Sequence, residues 1–144
     1  MIEKIKHKKK LFALIVRGKY RSKKGISFFT DNKAIQQFGY MNHKTKHIIK
    51  PHLHKKQTRK LLHTSEVILM LKGILRVDFY DNKKAYLFSK FLKEKDIIML
   101  VHGAHGFKVI KSVQMLEIKQ GPYINKLDKV KFDEIDESKI KIKK

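Results

Sequence analysis

Three imidazoles and a carboxylate are the residues here whose types and spacing suit metal chemistry: His52, His54, Glu66 and His105. In an extended segment His52 and His54, two apart, project from one face of a strand, as two ligands of one ion would. Glu66 opens an apolar run, Val67 to Leu71, and stands seven positions before Gly73. Two neutral imidazoles, a carboxylate and a third imidazole suit Fe(II), Mn(II), Ni(II) or Zn(II), with positions left for water or substrate. A basic chain with eight histidines also produces an HxH pair by chance. The strand context, the Glu-x6-Gly spacing and the later His105 in HGAHGF favour the ligand reading.

These residues need a scaffold of short strands. Residues 11–16 read as a buried strand, residues 26–29 as another, and residues 64–71 and 74–80 as a hairpin turned at Lys72-Gly73. Turn-forming clusters at 81–84 and 93–96 separate strands at 85–92 and 97–101. Residues 102–106 read as a loop of small residues, and residues 107–110 and 113–120 complete the series. That spacing predicts an all-β sandwich or barrel. Residues 1–10 read as a frayed basic arm, and a short helix is an alternative for residues 32–38 with Asp31 or Asn32 as its cap.

The pattern HxH, then Glu-x6-Gly, then a distal His resembles the two motifs of the cupin superfamily. The stretch LEIKQGPY at 116–123, followed by Asp128, Lys129 and Phe132, is similar to a small bacterial cupin group of the WbuC type. The resemblance covers residues 35–133. It implies a double-stranded β-helix, a small antiparallel jelly roll, with His52, His54, Glu66 and His105 holding a divalent metal ion. It also implies a homodimer and a role in surface-polysaccharide or sugar-nucleotide metabolism. Eleven residues separate His54 from Glu66, more than the usual first motif has. Lys95-Asp96 stands where Gly-Asp is usual. His105 fits the family's place; His102 is read as a rim residue or as a partner that supports a metal ligand.

The organisation expected is a basic arm with leading strands over 1–34, a cupin barrel over 35–124 and a charged tail over 125–144. Its 144 residues suit one domain with a sizeable core. The formal charge of +22 favours anionic partners such as a sugar-nucleotide. Nucleic acid is the less favoured partner, because the excess is Lys spread along the chain without an Arg and aromatic stripe. The absence of Cys excludes thiolate catalysis and thiolate metal sites. The apolar run near the N-terminus is six residues long, too short for a signal core or a membrane span, so a cytoplasmic protein without membrane insertion is expected.

Three functions follow from different classes. The first is a metal-dependent enzyme on a sugar or sugar-nucleotide, an isomerase, epimerase or oxygenase, with Arg59 as anion clamp and Glu117 or Tyr40 as proton carriers. The second is a cupin that binds a small molecule without turnover. The third is a basic nucleic-acid-binding protein in which the HxH pair is incidental.

Overall fold

A computed structural model describes residues 1–23, 25–124 and 128–143. Among them are β1 (Ile2–His7), β2 (Lys10–Val16), β3 (Gly25–Phe28), β4 (Gly39–Asn42), β5 (Glu66–Tyr80), β6 (Tyr86–Lys93), β7 (Ile97–Leu100) and β8 (Ala104–Lys119), with one short 3-10 turn at Glu137–Lys139. The all-β expectation holds. Six strands form one antiparallel sheet in the order β1-β2-β7-β5-β6, with β8 on the other side of β5, and β3 pairs with β4 apart from it. The sheet is curled into a half-barrel.

The curl comes from β5. Its first residues, Glu66 to Leu69, pair with β7, and residues from Ile74 onward pair with β6, while β8 follows its other side throughout. Residues 64–71 and 74–80 are therefore not a hairpin, because neither half pairs with the other. Gly73 takes a φ of 92°, and a Cβ there would lie 2.1 Å from the Ser112 carbonyl oxygen. Only glycine fits such a bend. The partner strand bulges at the same level, with register shifts between Met70 and Leu75, so residues 107–110 and 113–120 also lie within one strand rather than two.

Alternation along the strands divides the core. Phe12, Ile15, Ile68, Met70, Leu75, Val77, Phe79, Leu92, Ile98 and Leu100 pack inside the curl. Leu14, Val16 and Met99 point the other way, against Phe29, Tyr20, Phe38 and Tyr40 around the β3–β4 hairpin. Burial of these side chains stabilises by roughly 1.5–3 kcal/mol each.

The sheet also corrects the reading of the N-terminal end. Residues 1–10 are not a frayed arm: β1 pairs with β2 through a tight turn at Lys8 and Lys9, both at positive φ. Glu3 fixes this strand through Arg17 at 2.6 Å and Lys90 at 2.6 Å. Burial pushes the Glu3 carboxyl up, but those two cations outweigh it and hold it below the usual range. Residues 32–38 form turns, not a helix, because the Asp31 carboxylate accepts from the Lys33 amide at 2.8 Å in a local turn. The tail is docked on the sheet at residues 135–143; its start, at Asn125, lies outside the described residues.

Candidate functional site

Bending β5 brings its two ends face to face. Glu66 opens the strand, and His105 on β8 pairs in register with Phe79, thirteen residues further along β5. A straight strand would separate those positions by about 40 Å. Instead His105 Nε2 and Glu66 Oε2 are 2.9 Å apart. His105 thus belongs to strand β8 and not to a loop, although the preceding Gly103 keeps the loop's character. Its φ is 77°, and a Cβ there would lie 2.3 Å from the Phe12 ring.

Glu66 faces inward with Ile68 and Met70, and its side chain is 8% exposed. A buried carboxylate is costly unless partnered. Its second oxygen faces Lys129 Nζ at 3.4 Å. The hydrogen bond with His105, joined by the charges of His105 and Lys129, outweighs burial and holds the Glu66 carboxyl at about 2. The group is therefore an anion under all ordinary conditions.

The pair lies on the wall of an open cleft of about 720 Å³. Residues 62–64, the turn at 81–84, the crossing from β7 to β8 and residues 128–132 line it. Three lysines, Lys84, Lys119 and Lys129, and three carboxylates, Glu66, Asp81 and Asp128, are among the residues that line it. Lys84 Nζ sits 5.6 Å from the centre of the Phe132 ring, which meets Tyr80 edge-on at 5.1 Å. Phe107 lies 5.2 Å from the His105 ring. His102 also lines the cleft: its Nε2 is 3.3 Å from the Asn82 amide nitrogen, and Phe12 and His63 meet its ring edge-on. Burial, helped by Lys10 and His63, holds the His102 pKa below its ordinary value, which favours the neutral ring.

Of the four expected metal ligands, the structure brings together Glu66 and His105. His52 and His54 are exposed in residues 43–65, which form no strand, so the extended HxH face is not present. Their rings meet edge-on at 5.1 Å, and His52 Nδ1 is 3.0 Å from the Lys50 carbonyl oxygen. Among the described residues no three His, Asp or Glu side chains are grouped to hold a metal ion. The donor types suit a divalent ion; the placement of two of them does not.

Arg59 is exposed in the same segment, away from the cleft lining. Tyr40 packs against Tyr20 behind the sheet, with ring centres 5.4 Å apart. Glu117 is an exposed residue of β8, 3.8 Å from Lys119, and not a core carboxylate. Neither Tyr40 nor Glu117 lines the cleft. The sequence reading did not assign Lys84, His63, Lys129 or Phe132 to a site. Periodicity has no signal for them, since they lie on connections whose course depends on the curl.

The chain matches no family model, no curated protein and no solved structure. The cupin resemblance therefore rests on the motif residues themselves.

Proposed function

We propose that this cleft binds a small anionic carbohydrate of the sugar-nucleotide class and that Glu66 and His105 are its reactive pair. The observation behind this reading is the hydrogen-bonded carboxylate and imidazole on the wall of a cleft bearing three lysines. The ammonium groups attract phosphate, and the Phe132 and Phe107 rings offer apolar faces to a sugar or base. An imidazole oriented by a carboxylate exchanges a proton with a sugar hydroxyl or with a carbon beside a carbonyl. Glu66 keeps His105 in one orientation through their 2.9 Å hydrogen bond. Such a pair suits isomerisation or epimerisation.

A metal centre is the second reading, favoured by the donor types. Glu66 and His105 would supply one oxygen and one nitrogen, and His52 and His54 two more nitrogens once residues 43–65 come onto the cleft. A divalent ion bound there would act as a Lewis acid toward a sugar carbonyl. The outer edge of β8 supports this reading. Among the described residues no strand pairs with that edge, while Val109, Ile110, Leu116 and Ile118 are exposed along β8 and Ile48, Ile49 and Leu53 are exposed in residues 43–65. Addition of that segment as a strand would extend the half-barrel toward the cupin jelly roll. The WbuC-type resemblance, the homodimer and the cytoplasmic location belong to this same reading.

The test combines elemental analysis of protein purified without a chelating resin with calorimetric titration of uridine diphosphate-glucose. Binding that is lost in His105→Ala supports the cleft. About one metal ion per chain, absent from a His52→Ala, His105→Ala variant, adds the metal centre. Binding without turnover of sugar-nucleotides leaves a binding protein. Salt-sensitive binding of nucleic acid, with no response to either sugar-nucleotide or chelator, refutes both readings.

A further inference from the structure

Lys129 differs from the other two ammonium groups on the cleft. Lys84 Nζ lies over the Phe132 ring, and Lys119 Nζ lies 4.9 Å from the Tyr123 ring centre and 3.8 Å from Glu117. Lys129 Nζ faces Glu66, at 3.4 Å, beyond the 2.7–3.2 Å of an ordinary N–H···O bond. The better-bonded oxygen of that carboxylate belongs to His105, at 2.9 Å. Lys129 is also 49% exposed along its side chain. An ammonium group has three donors. Here one is loosely engaged, beside the reactive pair and open to the cleft.

The backbone behind Lys129 is held in several places. Phe132 packs on Tyr80, and the Tyr80 hydroxyl accepts from the Ile135 amide at 3.1 Å. Glu137 accepts from Arg76 at 2.7 Å and 3.0 Å and from Lys108 at 2.7 Å. Arg76 is itself buried and paired with Asp78. Beyond Glu137, the Lys141 carbonyl accepts from the Ser89 amide at 2.8 Å, and the Lys143 amide donates to the Ser89 carbonyl at 3.0 Å, which ties the segment along β6. Residues 128–143 form a strap fixed to the sheet at 135–143, with its leading part forming one wall of the cleft.

We propose that Lys129 is the residue that recognises the phosphate of the cleft's ligand, and that this strap positions it. The inference rests on the reading of the cleft as a ligand site and adds the group that selects for charge. On ligand entry the Lys129 ammonium turns its free donors to a phosphate oxygen, while Glu66 stays bonded to His105. Neutral sugars gain nothing from Lys129, so it discriminates by charge. Lys acts at such sites as a point charge rather than a planar fork.

The experiment is calorimetric titration of uridine diphosphate into the full chain at two salt concentrations, for wild type, Lys129→Gln, Lys129→Arg, His105→Ala and Lys33→Gln. Lys33 is exposed outside the cleft lining and outside residues 43–65, and controls for the loss of one charge. The expected result is a loss of about tenfold or more in affinity for Lys129→Gln, with a weaker salt dependence, and little change for Lys33→Gln. Lys129→Arg retains most of the affinity. If Lys129→Gln binds uridine diphosphate as wild type does while His105→Ala does not, the cleft stands and Lys129 merely neutralises Glu66, which overturns the proposal. If no variant differs from wild type, or wild type does not bind, the reading of the cleft falls together with it.

Discussion

Replacing Glu66 by Gln keeps the shape of the side chain and removes its charge, which isolates what the carboxylate gains from His105 and Lys129 together. The Glu66 carboxyl is held at about 2 against an ordinary 4.5, first by the hydrogen bond with His105 and then by the charges of His105 and Lys129, with burial opposing. A folded-state pKa below the unfolded value means that the unfolded chain binds the proton more readily. The resulting stabilisation is complete above about 4.5 and is lost as pH falls through about 2. The difference corresponds to about 3 kcal/mol at ~1.4 kcal/mol per unit. Because the side chain is only 8% exposed, solvent screening at the carboxylate itself is limited. The assay is urea unfolding of wild type and Glu66→Gln at a series of pH values from about 6 to about 2. Other carboxylates titrate in both proteins, so the quantity of interest is the gap between the two curves. Wild type should lose about 3 kcal/mol more than the variant over that range. Parallel curves would refute the reasoning and show that His105 and Lys129 do not hold the Glu66 carboxylate in solution.

Three further outcomes test the scaffold. Gly73→Ala should destabilise by more than about 2 kcal/mol, seen as a lower urea midpoint, because it combines an unfavourable φ with a Cβ placed 2.1 Å from the Ser112 carbonyl oxygen. Arg76→Met should cost about 3–5 kcal/mol in the same measurement, since it leaves the buried Asp78 without its cation and frees the strap at Glu137. Leu75→Ala, at a fully buried position inside the curl, should cost about 2–5 kcal/mol, while Leu53→Ala in the exposed segment should change stability by less than about 0.5 kcal/mol.

Much of the strand pattern was legible in the residues. Runs such as LFALIV and IIML state their own burial, and Asp81 to Lys84 states its turn, which the structure closes with hydrogen bonds from the Lys83 and Ala85 amides to the Asp81 carboxylate. The errors arose where one local signal has two tertiary outcomes. Lys72-Gly73 between two apolar runs is the signature of a hairpin and equally of a bend within one strand. The choice depends on whether a third strand, here β8, accompanies both halves. The basic N-terminus looked frayed because Glu3 offers no periodic signal; its partners Arg17 and Lys90 lie fourteen and eighty-seven residues away.

By composition and spacing alone, the chain determines an all-β protein without thiol chemistry, with a strongly positive surface and with Glu66 and His105 among its reactive candidates. Those are properties of single residues and near neighbours. The meeting of Glu66 with His105, and the placing of Lys129 beside them, were decided by the curl of β5 and the docking of the C-terminal strap. Both depend on contacts between residues remote in sequence, made favourable by burying one continuous core, and no local pattern encodes their geometry.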